Sequence, residues 1–296
     1  MVSIIICTFN RATILHYCLD SIEKYGLEYK DKIEIVIVDN NSTDDTRSLI
    51  DPYIKRGGLN FRYIPEEMQG LSVARNTGAL NAKYDWLFYL DDDAILREST
   101  LDVLFRVINE DQFDFFGGIY NAFYIHEKPK WLSDGYGTNK VNYKRLPLKA
   151  DRISGGIMVI QKKLLFDLGM FNIHLGMSGS KLGFAEESDL QNRYLAEGGK
   201  TTVITDFQVD HIVGSHKFSV WWHLKQAFVA GRDDVHKVKV NFLREFFILL
   251  PVFTFKNLWK LLKPNYFWQN FIIDSLNSFL FALGSYYSKI SRMFGV

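Results

Sequence analysis

Asp91-Asp92-Asp93 follow directly on the apolar run Trp86-Leu87-Phe88-Tyr89-Leu90. Adjacent carboxylates repel one another and need a compensating cation. Hard divalent ions such as Mg²⁺ and Mn²⁺ take oxygen ligands and leave room for substrate phosphates. An extended segment alternates its side chains, which puts Asp91 and Asp93 on one side and Asp92 on the other. Asp39 closes a second apolar run, Ile33 to Val38, where a carboxylate can accept a hydrogen bond from a base N–H. Arg75, within Gly70 to Gly78, can reach a phosphate or brace Asp39 through a bidentate pair. Glu186, Glu187 and Asp189 crowd one helix start, as the helix dipole favours. Asp189 has Arg193 four residues on as a surface partner, which leaves Glu186 and Glu187 unaccounted for. His211, after Asp210, can offer a neutral ring nitrogen to a cation, whereas His126, His174 and His216 read as structural.

The elements that position these groups are legible from hydrophobic period. Val2 to Cys7 and Ile33 to Val38 are continuous β-rich runs, as in strands buried on both faces. Cys7 reads as core. A helix over Ala12 to Tyr25 carries Leu15, Cys18, Leu19 and Ile22 on one stripe. Ser42 or Thr43 caps the next helix, which Gly57-Gly58 ends. Phe61 to Ile64 is a strand, Leu71 to Ala82 a helix, and Trp86 to Leu90 a strand. Alternation at this spacing predicts right-handed βαβ units and a mostly parallel sheet. Ligands in such sheets bind outside the carboxyl ends of the strands. Thr8-Phe9-Asn10-Arg11, Asp39-Asn40-Asn41-Ser42 and the acidic triplet all fall there.

The second half is less regular. Residues 120 to 150 read as a long loop, Ile153 to Ile160 as a strand, and 174 to 183 as a Gly/Ser-rich loop able to order over a ligand. Glu186 to Glu197 is helical and Thr201 to Thr205 is a strand. Trp131, beside Gly135 and Gly137, offers an aromatic face or packs its own loop. Gly155-Gly156 allow a close backbone approach.

At 296 residues the chain can bury a sizeable core. Its net charge of +1 gives no basic footprint for nucleic acid. Cys7 and Cys18 form neither a metal pattern nor a disulfide framework. Met1-Val2-Ser3-Ile4 enters a strand with no basic leader, so the expected setting is reducing and cytoplasmic, at the inner face of the plasma membrane. Aromatic residues crowd the last third. Phe246 to Phe255 and Ser275 to Ser288 are its longest uncharged stretches, short of the roughly 18 residues a spanning helix needs. Trp259, Trp268, Tyr266, Tyr286 and Tyr287 alternate there with Lys256, Lys260, Lys263 and Lys289, which suits a membrane interface or packing on the core or a second subunit.

The ordered set resembles the inverting family 2 glycosyltransferases of bacterial surface-polysaccharide biosynthesis. It comprises Val2 to Arg11, Ile35 to Asp44, Gly70 to Gly78, Leu90 to Asp93, Gly155-Gly156, Glu186 to Leu190 and His211. The resemblance implies an α/β GT-A nucleotide-diphospho-sugar transferase fold over residues 1–216, with a nucleotide-sugar half at 1–119 and an acceptor half at 120–216. A helical region at 217–296 would be a membrane-interface or oligomerisation element. The donor, a UDP-sugar for preference, would bind Thr8, Asn10, Arg11, Asp39, Asn41, Arg75, Asp91 and Asp92. Mn²⁺ or Mg²⁺ would bind Asp93 and His211, with Asp91 beside them. Glu187 would be the general base, as an ordinary ionised carboxylate. The family's Glu-Asp pair reads Glu-Glu here, which leaves open which of Glu186 and Glu187 faces the acceptor. Trp131, Gly155, Gly156 and Glu186 would serve a glycan or lipid-linked saccharide acceptor. The alternative is an inactive nucleotide-sugar-binding or scaffold subunit. A nucleotidyltransferase or a dinucleotide-binding dehydrogenase would need a Gly-rich loop after the first strand, and Thr8 to Ala12 contains no glycine.

Overall fold

A computed structural model describes residues 1–138, 152–234 and 242–294. The chain divides into two compact units. One comprises Met1–Phe123, Gly137–Ser180 and Glu186–Ile212; the other comprises Tyr124–Tyr136, Lys181–Ala185 and Val213–Val296.

The first unit is built on one sheet. Its strands are β1 (Val2–Thr8), β2 (Ile33–Asp39), β3 (Phe61–Pro65), β4 (Trp86–Leu90), β5 (Ala94–Leu96), β6 (Phe115–Phe123), β7 (Ile157–Gln161) and β8 (Thr202–Ile212). Their order is β3-β2-β1-β4-β7-β6-β8-β5. The β3-β2-β1-β4 half is parallel, as the alternation of strands and helices predicts. β7 then runs antiparallel to both β4 and β6, so the sheet as a whole is mixed.

Among the described residues six helices cover its faces: α1 (Ala12–Gly26), α2 (Thr46–Arg56), α3 (Leu71–Asn81), α4 (Thr100–Glu110), α5 (Lys162–Asp167) and α6 (Glu186–Ala196). Side-chain alternation along β1 divides the core. Val2, Ile4 and Ile6 pack with Leu15, Leu19, Ile50 and Leu101. Ile5 packs on the other face with Ala74, Leu87, Tyr89 and Leu190. α3 lies close to the sheet because Gly78 has no side chain; a Cβ there would sit 2.4 Å from Ile5 Cγ2.

Several expectations shift. The Ile153 to Ile160 strand is confined to β7: Ile153 N–H donates to Gln191 Oε1 at 2.9 Å instead, and Gly155 and Gly156 lie against Arg75 and Asp91. β8 runs on to Ile212 and so carries His211 within the sheet. Neither Ser42 nor Thr43 caps α2: that helix starts at Thr46, whose N–H is accepted by Asp44 Oδ1 at 3.1 Å. β6 replaces the start of the expected long loop, and residues 139–151 of that loop lie outside the described residues.

The second unit is helical: α7 (Val220–Arg232), α8 (Phe242–Arg244) continuing through a π turn at Glu245–Leu249 into α9 (Leu250–Leu258), and α10 (Trp268–Phe294). α7 and α10 touch backbone to backbone at paired glycines. A Cβ on Gly231 would meet the Phe281 carbonyl oxygen at 1.9 Å, and one on Gly284 the Phe228 carbonyl oxygen at 1.9 Å. Trp131 belongs to this unit, edge-on to His223 with ring centroids 5.3 Å apart, and its carbonyl accepts from Asn270 Nδ2 at 2.7 Å. Among the described residues no helix is long and apolar enough to cross a membrane.

Candidate active site

Parallel register brings three strand ends together. Thr8 lies opposite Asp39, and Ile5 opposite Tyr89, so the acidic triplet emerges beside Cys7 and Thr8. A cavity of about 140 Å³ opens there, lined by Thr8, Arg11, Asn40 and all three aspartates among others. Cys7 also lines it, so that thiol is not simply core.

The triplet is a turn rather than an extended strand, with Ala94 N–H donating to the Asp91 carbonyl at 3.0 Å. The expected alternation therefore fails. Asp92 and Asp93 both face Arg11, at 3.9 and 3.6 Å, while Asp91 turns to Arg75 Nη2 at 3.6 Å. Burial, with Asp93 beside it, pushes the Asp92 carboxyl up to about 7 against the pull of Arg11. Asp91 is also raised, first by burial and then by Asp93, with Arg75 opposing. Since 43% of its side-chain surface stays open, loss of solvent acts more weakly there than on Asp92.

His211 reaches this turn through strand pairing. It sits opposite Ala94 in the β5–β8 ladder, and Ile212 N–H donates to the Asp93 carbonyl at 2.8 Å. His211 Nε2 then lies 3.6 Å from Asp93 Oδ1. That oxygen is buried without a hydrogen bond, a costly state for a carboxylate. An orphaned oxygen facing an imidazole nitrogen fits a divalent cation, which Asp93 and His211 would hold. No group of three or more His, Cys, Asp and Glu among the described residues is arranged to hold an ion, and Asp91 is engaged by Arg75.

Arg75 is the hub of the other wall. It is buried, and its Nη1 donates to Glu186 Oε1 at 2.8 Å. It braces Glu186 and Asp91, not Asp39 as the sequence suggested. Gly155 and Gly156 give it room: a Cβ on Gly155 would lie 2.6 Å from Arg75 Nη2, and one on Gly156 2.5 Å from Asp91 Oδ2. The glycines thus admit two side chains of this chain, where the sequence suggested room for an acceptor. Glu187 follows at the first turn of α6, half-buried and outside the Arg75 hydrogen bond. Burial, then the charge of Glu186, push its carboxyl up to about 8, against Arg75. Its proton affinity thus lies above that of the ordinary ionised glutamate expected from sequence.

The donor-side groups named from sequence divide by role. Asp39 is buried, accepting from Ser42 N–H at 2.9 Å and Tyr63 Oη at 2.8 Å. Asn10 has a φ of +53° and ties the first strand-end loop to the second, accepting from Thr43 N–H at 2.7 Å. Asn41 is also left-handed, at +66°. Asn40 was missed. Its side chain accepts from Gly70 N–H at 2.8 Å and donates to the Met68 carbonyl at 2.7 Å, fixing the loop that leads into α3. Only its place between Asp39 and Asn41 could have pointed to it. The Gly/Ser-rich loop is fastened to the same helix start: Leu71 N–H donates to the Met177 carbonyl at 2.7 Å and Ser72 Oγ to the Leu175 carbonyl at 2.7 Å.

The model of the family described as Glycosyl transferase family 2 matches residues 3–169, more than half of the chain. The chain is 32% identical over 123 residues to the poly(ribitol-phosphate) beta-N-acetylglucosaminyltransferase TarP of Staphylococcus aureus, covering 41% of this chain and 37% of TarP. It is 28% identical over 176 residues to a GalNAc(5)-diNAcBac-PP-undecaprenol beta-1,3-glucosyltransferase of Campylobacter jejuni, covering 57% of this chain and 54% of that protein. It therefore matches little more than half of these relatives at most. In fold it is similar to S. aureus TarS 1-349 in complex with UDP, with a TM-score of 0.57 at 19% identity over 100% of this chain and 92% of that one. It is equally similar to the mannosyltransferase PcManGT of Pyrobaculum calidifontis in complex with GDP-Man and Mn²⁺. There the TM-score is 0.59 at 17% identity, over 98% of this chain and 75% of that one.

Proposed function

Since the chain belongs to glycosyl transferase family 2, we propose that it moves a sugar from a nucleoside-diphosphate sugar, a UDP-sugar for preference, onto a hydroxyl of a glycan or lipid-linked saccharide, inverting the anomeric carbon. One observation carries this reading: Arg75 joins the strand-end acidic turn to the glutamate pair at the start of α6. Asp91 on the donor side and Glu186, the neighbour of the base, are thereby held against the same guanidinium.

Asp39 keeps unused lone pairs on its two carboxylate oxygens for a base N–H. Arg11, at the mouth of the aspartate turn, faces where a diphosphate would lie. Asp93 and His211 would hold Mn²⁺ or Mg²⁺, which when bound supplies charge neutralisation for the leaving diphosphate. Glu186 is committed to Arg75, so Glu187 is the carboxylate left to take the acceptor's proton. As that proton passes to Glu187, the acceptor oxygen bonds to the anomeric carbon from the face opposite the diphosphate. The bond from that carbon to the phosphate oxygen breaks, and its electron pair leaves with the nucleoside diphosphate. A single displacement gives a β-linked product from an α-linked donor. The test is a panel of nucleotide-sugars with Mn²⁺, scored by donor consumption and by NMR of the product's anomeric configuration. Retained configuration, or turnover that persists in Glu187→Gln, would overturn the mechanism.

A further inference from the structure

The segment from α8 to Leu262 in the second unit is turned inside out. A surface helix in water buries its apolar stripe and shows its polar one. Here the buried residue of α9 is Asn257, whose Nδ2 donates to Ser275 Oγ of α10 at 3.3 Å. The apolar side chains stand in the open instead: Phe247 is 68% exposed, Phe255 67%, Trp259 64% and Leu262 79%. Phe255, Leu258, Trp259 and Leu262 recur at three- and four-residue intervals and share one side of the helix. An exposed apolar face of this kind marks a surface that is covered in use.

Its flank says by what. Lys256 and Lys260 lie one turn apart and Lys263 follows where the helical segment ends, so basic side chains border the apolar stripe. Lys260 is shared with Asp274 at 3.2 Å. From Arg244 to Trp268 the chain carries four basic residues and one acidic residue, Glu245. A two-fold contact with its axis on this face would set that row against itself. An anionic surface complements it. With no described helix able to span a bilayer, the segment can lie on one. We propose that this face docks on the headgroup boundary of a bilayer containing anionic lipid, with Phe255, Trp259 and Leu262 in the acyl edge and the lysine row at the phosphates.

Vesicle co-sedimentation of the full chain, with phosphatidylglycerol/phosphatidylcholine or phosphatidylcholine alone, tests this. Binding to the anionic vesicles is expected, with a blue shift of tryptophan emission and quenching by brominated acyl chains. Lys256→Gln/Lys260→Gln/Lys263→Gln, which leaves the apolar face intact, should weaken that binding by about a hundredfold at low salt. Phe255→Glu/Trp259→Glu should abolish it with the circular dichroism spectrum and the rate of donor consumption unchanged. Equal binding to both vesicle types, binding retained by the Phe255/Trp259 variant, or a dimer that this variant dissolves while vesicles go unbound, would each overturn the proposal.

Discussion

Arg75 Nη1 donates to Glu186 Oε1 at 2.8 Å, whereas Glu187, one residue further on, stands outside that pair. The guanidinium is buried and also faces Asp91 at 3.6 Å. Removing one partner of a buried pair strands the other charge, a loss of roughly 3–5 kcal/mol. Arg75→Met should therefore lower the stability read from urea unfolding by about that amount, while Arg75→Lys recovers part of it. An unchanged urea midpoint in Arg75→Met would show that the cluster contributes no stability.

Glu187 sets a pH dependence with a definite sign. Its carboxyl is raised from 4.5 to about 8, so the folded protein holds a proton that the unfolded chain releases. Stability must then fall as pH rises from about 4.5 to about 8, and level off above. Glu187→Gln removes that decline and should be the more stable protein at pH 9 in EDTA, by on the order of 2 kcal/mol after allowance for partial exposure. Asp92 adds a decline ending near pH 7 that the variant keeps. Activity should move the other way. With Mg²⁺, log kcat/KM should climb towards pH 8 and then flatten, as the base form of Glu187 fills. A flat profile between pH 6 and 9 would remove Glu187 as the base.

Gly155 and Gly156 test whether the site depends on clearance. An added methyl meets the ends of Arg75 and Asp91, at 2.6 and 2.5 Å; Asp91 is partly open and can swing aside, whereas Arg75 is buried and held by Glu186. Gly156→Ala should therefore melt within a few degrees of the parent and Gly155→Ala lower, and both should lose at least about tenfold in kcat/KM through displaced side chains. Loss of folding in either variant would show that these glycines serve the core instead.

What sequence period could reveal, it did: β1, β2, α1, α3 and β4 have continuous apolar runs or a clear stripe, and their ends carry the cleft. The rest depended on long-range packing. The sequence marked no strand over Phe115 to Ile119, yet β6 begins there, with Gly117 and Gly118 so crowded by Ile153 and the Phe207 carbonyl that a Cβ would meet those atoms at 2.3 and 2.1 Å. The triplet's side chains could not be oriented from alternation, because a turn begins at Asp91. Nor could local sequence show that β8 continues to His211, or that Glu186 reaches Arg75 across more than a hundred residues. The Glu187 proton affinity has the same origin, since burial and a neighbouring charge exist only in the folded chain.

Asp93 and His211 give the last test. Their 3.6 Å approach joins a buried oxygen lacking a hydrogen bond to a ring fixed by the β5–β8 ladder. Arg11 competes for the other oxygen of Asp93, also at 3.6 Å. If the pair holds a divalent cation, Asp93→Asn and His211→Ala should each weaken Mn²⁺ binding by about 10- to 100-fold. Free Mn²⁺ measured by electron paramagnetic resonance, with nucleoside diphosphate present, reads this without reference to turnover. Arg11→Gln should shift the other way for the metal alone, since it removes a competing positive charge, while weakening nucleotide binding. Mn²⁺ affinity unchanged in both Asp93→Asn and His211→Ala would place the cation elsewhere and leave their approach a purely structural contact.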